Sequence, residues 1–189
     1  MLTVEGLGKR YGPRWIFRHI AFELKQGERL VVVGRNGAGK STLLRCLAGL
    51  IPRTEGKVTL PGDPRVTLGV SALDQALYAD LNASEHLYLA GDLRGVPARS
   101  DELLAKVDLA DMPVREMSTG MRARLRMALA IQAEPFALLL DEPGASLDEP
   151  GRKLVADIAD EQAARGCLIL ATNDPRERRF ADFELELGT

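Results

Sequence analysis

The stretch GRNGAGKST, Gly34 to Thr42, packs three glycines, a lysine and two hydroxyl residues into nine positions. It satisfies the spacing G-x-x-x-x-G-K-S/T, and the chemistry that spacing serves is phosphate binding. Glycines at 34, 37 and 39 let successive backbone N–H groups turn inward toward an anion, and the helix that follows adds the positive end of its dipole. Arg35, Asn36 and Ala38 complete the loop. Lys40 is placed to reach the terminal phosphates of a nucleotide, and Ser41, next to Thr42, offers a hydroxyl to Mg²⁺. FALLLDEP, Phe136 to Pro143, supplies what such a site needs next. Its apolar strand delivers Asp141 to a metal ion, and Glu142 follows as a base for an attacking water. MSTGMRARLRMALA, Met117 to Ala130, opens a helix on small residues, so Ser118 and Gly120 expose N–H groups suited to a second anion contact. Arg122, Arg124 and Arg126 on that helix read, taken alone, as a solvated face. In LILATNDPRE, Leu168 to Glu177, an apolar strand breaks into polar residues where ligands sit in open α/β sheets, which makes Asn173 a candidate to face the reaction centre.

These residues need a scaffold, and the pattern around them predicts one. Leu2 and Val4, then Ile20, Phe22 and Leu24, alternate with polar residues as in strands of an antiparallel lobe. ERLVVVG, ahead of the glycine loop, is a β-branched run suited to burial on both faces of a parallel sheet. The helix after the loop is expected to set Leu43, Leu44, Leu47 and Leu50 on one face. From Asn82 the pattern turns helical: Asn82 and Glu85 form a capping pair, Ser100 begins a second helix carrying Leu103, Leu104 and Val107, and Arg122 to Ala133 makes a third. After Pro135 the chain returns to strand, helix (LVADIADEQAARG), strand (CLILA) and an alternating tail (FELEL). The expected organisation is one α/β domain over 1–189, with a core formed by 1–81 and 134–189 and a helical subdomain at 82–133.

Composition excludes some classes. With 189 residues, 46% hydrophobic and 28% charged, the chain is ordinary for a globular protein, and a formal net charge of −2 gives no basic field for nucleic acid. Cys46 and Cys167 lack the paired spacing of a zinc site or disulfide framework and read as small core residues of a reducing compartment. The runs LVVV and FALLL are too short to span a bilayer, so the expected location is cytoplasmic, with any membrane role coming through a partner.

The order GRNGAGKST, MSTGM, LLLDEPGASLD, ATND resembles the nucleotide-binding subunit of ATP-binding cassette (ABC) transporters over essentially the whole chain. The resemblance implies a P-loop NTPase fold of the ABC-ATPase type, with a mixed or parallel core sheet, a small antiparallel β lobe and an inserted helical subdomain. It implies ATP and Mg²⁺ as ligands, the Walker A loop at Gly34 to Ser41, the signature at Met117 to Met121, Walker B at Leu138 to Asp141 with Glu142 as catalytic base, and a D-loop at Ser146 to Asp148. Tyr11 matches the aromatic residue on which adenine stacks. Such subunits close as head-to-tail dimers, homo- or heteromeric, with Ser118 and Gly120 aimed at the partner's ATP, and they sit on the cytoplasmic face of the cell membrane against a permease.

The sequence also departs from the family. MSTGM keeps the serine and second glycine of the usual LSGGQ. The glutamine-loop position falls nearer Leu73, two residues before Gln75, which is the candidate to sense Mg²⁺ and water. Asn173 stands where the family has histidine, and neither His19 nor His86 is placed to substitute. An amide can donate a hydrogen bond to phosphate but cannot relay a proton. The signature and the LYADL stretch resemble haem- and drug-exporting members, which points to an exporter. A soluble ABC ATPase acting on nucleic acid or the ribosome is the alternative, and a P-loop kinase leaves MSTGM unaccounted for.

Overall fold

The computed structural model describes residues 1–72 and 74–188. Leu73, where the glutamine-loop register falls, lies outside them. The chain begins with β1 (Leu2–Tyr11) and β2 (Arg14–Leu24), joined through Gly12 and Pro13, then β3 (Arg29–Val33) and α1 (Lys40–Leu47). β4 (Glu55–Thr59), the short α2 (Pro64–Thr67) and β5 (Leu68–Ser71) follow. Three helices come next, α3 (Ala83–Arg94), α4 (Ser100–Lys106) and α5 (Thr119–Ile131), and then β6 (Ala137–Asp141), α6 (Glu149–Arg165), β7 (Cys167–Ala171) and β8 (Phe183–Glu186).

Two sheets result. β2-β1-β4 is the expected antiparallel lobe, and β5-β6-β7-β3-β8 is a core sheet whose pairings are all parallel. Side chains alternate across a strand, so each core strand feeds two separate cores. Val31, Leu138, Leu140, Leu168 and Leu170 pack with α3 to α6, whereas Leu30, Val32, Leu139, Ile169 and Ala171 pack with α1 and the antiparallel lobe. Each of those leucines contributes about 1.5–3 kcal/mol on burial, which is why the uninterrupted apolar runs outweigh the modest intrinsic preference of Leu for strand.

Local chemistry sets the helix ends. The Asn82 N–H donates to Glu85 Oε2 at 2.7 Å, the expected pairing at the start of α3. Ser118 caps α5 by accepting from the Met121 N–H at 3.2 Å. α1 stops earlier than expected, because Gly49 at φ 69° ends it with its N–H on the Cys46 carbonyl. Leu43, Leu44 and Leu47 are buried as predicted, while Leu50 lies past the helix end and is 64% exposed.

The three arginines of α5 are not a solvated face. Arg122 Nε donates to the Val114 carbonyl and Arg126 Nε to the Gln75 carbonyl. Arg124 reaches the Val107 and Asp108 carbonyls and pairs with the carboxylates of Asp108 and Asp148. Their stems lie against the fold and their donors satisfy backbone carbonyls of distant loops.

Candidate functional site

β7 lies between β6 and β3, and the register puts Asp141, Ala171 and Val32 on one level across the three strands. The residues that follow each strand therefore leave the sheet side by side: Glu142 from β6, Thr172 and Asn173 from β7, Gly34 from β3. The convergence of these three segments is a direct product of strand order.

The glycine loop closes onto α1 through Gly39, which adopts φ 105° and caps the helix. A Cβ there would lie 2.5 Å from Ile16 Cγ2, so the loop meets the antiparallel lobe only because residue 39 has no side chain. The start of α1 faces a cavity of about 390 Å³ lined by Ile16, Asn36, Gly37, Gly39, Lys40, Ser41, Thr42 and Glu142. A second cavity, about 700 Å³, continues past Arg35, Asn36 and Ala38 to Arg14 and Trp15.

Lys40 is 7% exposed, and such a cation must be compensated. Its Nζ donates to the Gly34 carbonyl at 2.9 Å and to Asn173 Oδ1 at 3.1 Å, and lies 3.5 Å from Glu142 Oε1. Asn173 Nδ2 in turn donates to Asn36 Oδ1 at 2.7 Å, and the Asn173 N–H faces Glu142 Oε2 at 3.4 Å. Asn173 thus bridges the loop lysine, the loop asparagine and the acidic residue after β6. Its amide uses its oxygen and one of its two N–H donors there.

Glu142 sits at φ 48°, a left-handed conformation that costs a non-glycine residue about 1–2 kcal/mol. Its own N–H is held by the Ala171 carbonyl at 2.8 Å, which locks the turn. Asp141 is buried, and its Oδ1 has no hydrogen-bond partner among the described residues. Burial pushes its carboxyl above the usual range, the Ser41 hydroxyl pulls it back, and the nearby Glu142 charge adds to the rise. A carboxylate oxygen left unpaired beside a hydroxyl fits a divalent cation, for Mg²⁺ takes one or two protein oxygens and completes its shell with phosphate and water.

Other expected residues stand elsewhere. Tyr11, at the end of β1, is 54% exposed with its ring 4.6 Å from Lys9 Nζ. It lines neither cavity; Trp15 and Ile16 do. Gln75 lines a groove of about 560 Å³ with Arg45, Leu50, Ile51 and Arg94 and is absent from the cavity at the glycine loop. Ser118 and Gly120 are also absent from that cavity, and Gly120 lies against the Ser146 carbonyl. Asp148 caps α6 through the Gly151 N–H at 3.0 Å and faces Arg124. His86 is a packing residue: its Nε2 accepts from the Tyr78 N–H at 2.9 Å and its Nδ1 lies 2.8 Å from the Asn82 carbonyl. His19 is exposed in β2.

One participant was invisible in the sequence. Glu177 is buried, its carboxyl lying against the Gly144 backbone and the Thr172 side chain, and burial pushes it above the usual range. A Cβ at residue 144 would come within 2.4 Å of Glu177 Oε1. The glycine after Glu142-Pro143 is the signal, since it makes room for a side chain from the Asn173 segment.

A family model described as ABC transporter matches residues 17–145. The cytochrome c biogenesis ATP-binding export protein of Nitrosococcus oceani is 35% identical over 183 residues, covering 91% of this chain and 85% of that protein. A phosphonates import ATP-binding protein of Natronomonas pharaonis is 38% identical over 178 residues, covering 84% and 76%. Among solved structures, a dimeric ATP-binding cassette in a post-hydrolysis state with ADP and Pi superposes with a TM-score of 0.85 at 23% identity, covering 99% and 94%. The glycine loop, the aligned strand ends and these matches agree: the chain belongs to the ABC transporter family and is one of its ATP-binding, ATP-hydrolysing subunits.

Proposed function

We propose that two copies of the chain, or one copy and a second ABC subunit, close head to tail on ATP and drive an export permease. The observation that carries this reading is the separation of two half-sites. Lys40, Ser41, Asp141, Glu142 and Asn173 converge at adjacent strand ends, whereas Ser118 and Gly120 open α5 away from that cavity. A second chain supplies the missing half, with its α5 N-terminus toward the terminal phosphate. Asp148, in the segment that packs near Gly120, contributes at the same interface.

In this reading the backbone N–H groups of 34–42 hold the phosphates, and Lys40 exchanges its internal partners for phosphate oxygens. Tyr11, exposed at the hairpin tip, takes one face of the base. Ser41 and Asp141 would hold Mg²⁺, which when bound would neutralise charge on the transferred phosphoryl group. Glu142, held in its turn by the Ala171 carbonyl, accepts a proton from the attacking water. Asn173 keeps Asn36 in place through one N–H and donates to phosphate through the other. Gln75 contributes to the water and metal shell of the assembled site.

The permease docks on the helical side. Tyr88, Leu89 and Leu93 are exposed along α3, and Leu50 faces the Gln75 groove, an apolar surface on a chain in which, among the described residues, no helix is long and apolar enough to cross a membrane. The chain is then peripheral on the cytoplasmic face of the membrane and needs no nucleic acid. The export direction follows the cytochrome c biogenesis relative, and the phosphonate relative carries the opposite one.

The test is light scattering of Glu142→Gln with MgATP. A mass that doubles with nucleotide supports the closed dimer, and a monomer at saturating ATP refutes it. Cargo direction is read from vesicles holding the purified permease pair.

A further inference from the structure

We infer that Arg126 is a positioning residue that fastens the Gln75 loop to the helix opened by Ser118 and Gly120, so that loop and helix move as one body. Two attachments carry this. The first is the bond from Arg126 Nε to the Gln75 carbonyl, 3.1 Å across 51 residues of sequence. The second lies one turn along the same helical face, where the Ala130 carbonyl meets β5. A Cβ on Gly69 would come within 2.1 Å of that oxygen and 2.8 Å of Pro135 Cγ, so the strand and helix backbones touch only because residue 69 is glycine. Arg126 and Ala130 are four residues apart and face one way. β5 ends at Ser71, four residues before Gln75. A single contact would be a pivot; two contacts, one on the strand and one on its loop, fix an orientation.

Arg126 is held where a cation is costly. Burial draws its pKa down, Arg122 one turn earlier draws it further, and Asp74 beside Gln75 opposes both. A guanidinium in such a place is retained when its donors are used, and the Gln75 carbonyl uses one. The loop it holds carries Asp74 and Gln75 into the groove shared with Leu50, Ile51 and Arg94. Ser118 lies eight residues from Arg126, roughly 12 Å along the helix axis. Pressure in the groove is therefore carried to the Ser118 end without a hinge between. The link stands on these contacts alone; its consequence for turnover rests on the proposed function.

The experiment is amide exchange by mass spectrometry on the full chain, comparing wild type, Arg126→Met and Arg126→Lys, with MgATP turnover measured alongside. Methionine keeps the apolar stem and removes the donors; lysine restores a donor and the charge. Arg126→Met is expected to speed exchange about tenfold in residues 74–81 and 118–122 together, the scale of one charge-assisted bond. Arg126→Lys stays within about threefold of wild type in both segments, and β1 and β2 do not change. kcat falls in Arg126→Met while KM holds, and Arg126→Lys recovers most of it. Faster exchange confined to 74–81, or in neither segment, overturns the inference, as does a rise that extends to β1 and β2. A wild-type chain that hydrolyses no ATP refutes the proposed function and leaves the outcome of the exchange measurement standing.

Discussion

Replacing Asn173 by alanine separates what the residue does for folding from what it does for turnover. Alanine removes two side-chain bonds, the 3.1 Å acceptor for Lys40 and the 2.7 Å donor to Asn36. Asn173 is exposed, so water replaces both, and Lys40 keeps the Gly34 carbonyl and Glu142. The folding cost is then at most about 1 kcal/mol, or about 2–4 °C in Tm at this chain length. In the proposed reading the same amide also donates to the transferred phosphoryl group in the transition state. Losing it costs about 1.4 kcal/mol or more, a tenfold or larger fall in kcat. The assay is phosphate release at saturating MgATP beside a thermal melt. Asn173→Ala with unchanged kcat refutes the reasoning, and so does a Tm loss large enough to account for the fall. Asn173→His, which restores the group usual in the family, is expected to match or exceed wild-type turnover.

Glu142→Gln is expected to abolish steady-state hydrolysis while fluorescent-nucleotide binding stays within a few-fold of wild type; normal turnover removes Glu142 from the role of base. Asp141→Asn is expected to melt higher than wild type at pH 7 without nucleotide while losing Mg²⁺-dependent turnover. Because burial raises the folded pKa of Asp141, the folded chain binds more protons than the unfolded one between the ordinary carboxylate range and the raised value. Stability contributed at this position therefore falls as pH rises through that window, and the Asn variant's advantage in melts should shrink as pH is lowered toward about 4. Gly144→Ala is expected to destabilise by about 1–3 kcal/mol through the contact with Glu177 Oε1 and to lower kcat by shifting the Glu142 turn, with Gly144→Ala/Glu177→Ala recovering part of the Tm loss.

The glycine loop, the apolar strands and Asp141 were legible because each is specified by its neighbours in sequence. The alternation of Leu138 to Leu140 between the two cores follows from the backbone itself, and the strand order then sets Asn173 between the loop and Glu142. What could not be read depends on partners far along the chain. Arg124 and Arg126 look like surface charge until loops 16 to 51 residues away bring carbonyls to them. Glu177 looks like any acidic loop residue until Gly144 leaves it a pocket. Leu50 fits the helical spacing, but Gly49 ends the helix before the spacing can be used. Tyr11 was placed by resemblance alone, and its ring lies 4.6 Å from Lys9 Nζ at the end of β1.

The left-handed Glu142 and the unpartnered Asp141 oxygen sit next to each other in the chain. Any library screened only for heat resistance should therefore erode the centre first. Glycine at 142 relieves the backbone and asparagine at 141 removes the buried charge, so thermally selected clones would drift toward an inert cassette that still folds. Alternating each heat step with a turnover screen is what would keep those two positions acidic, and the frequency with which they revert between rounds would measure how far the catalytic turn works against the rest of the fold.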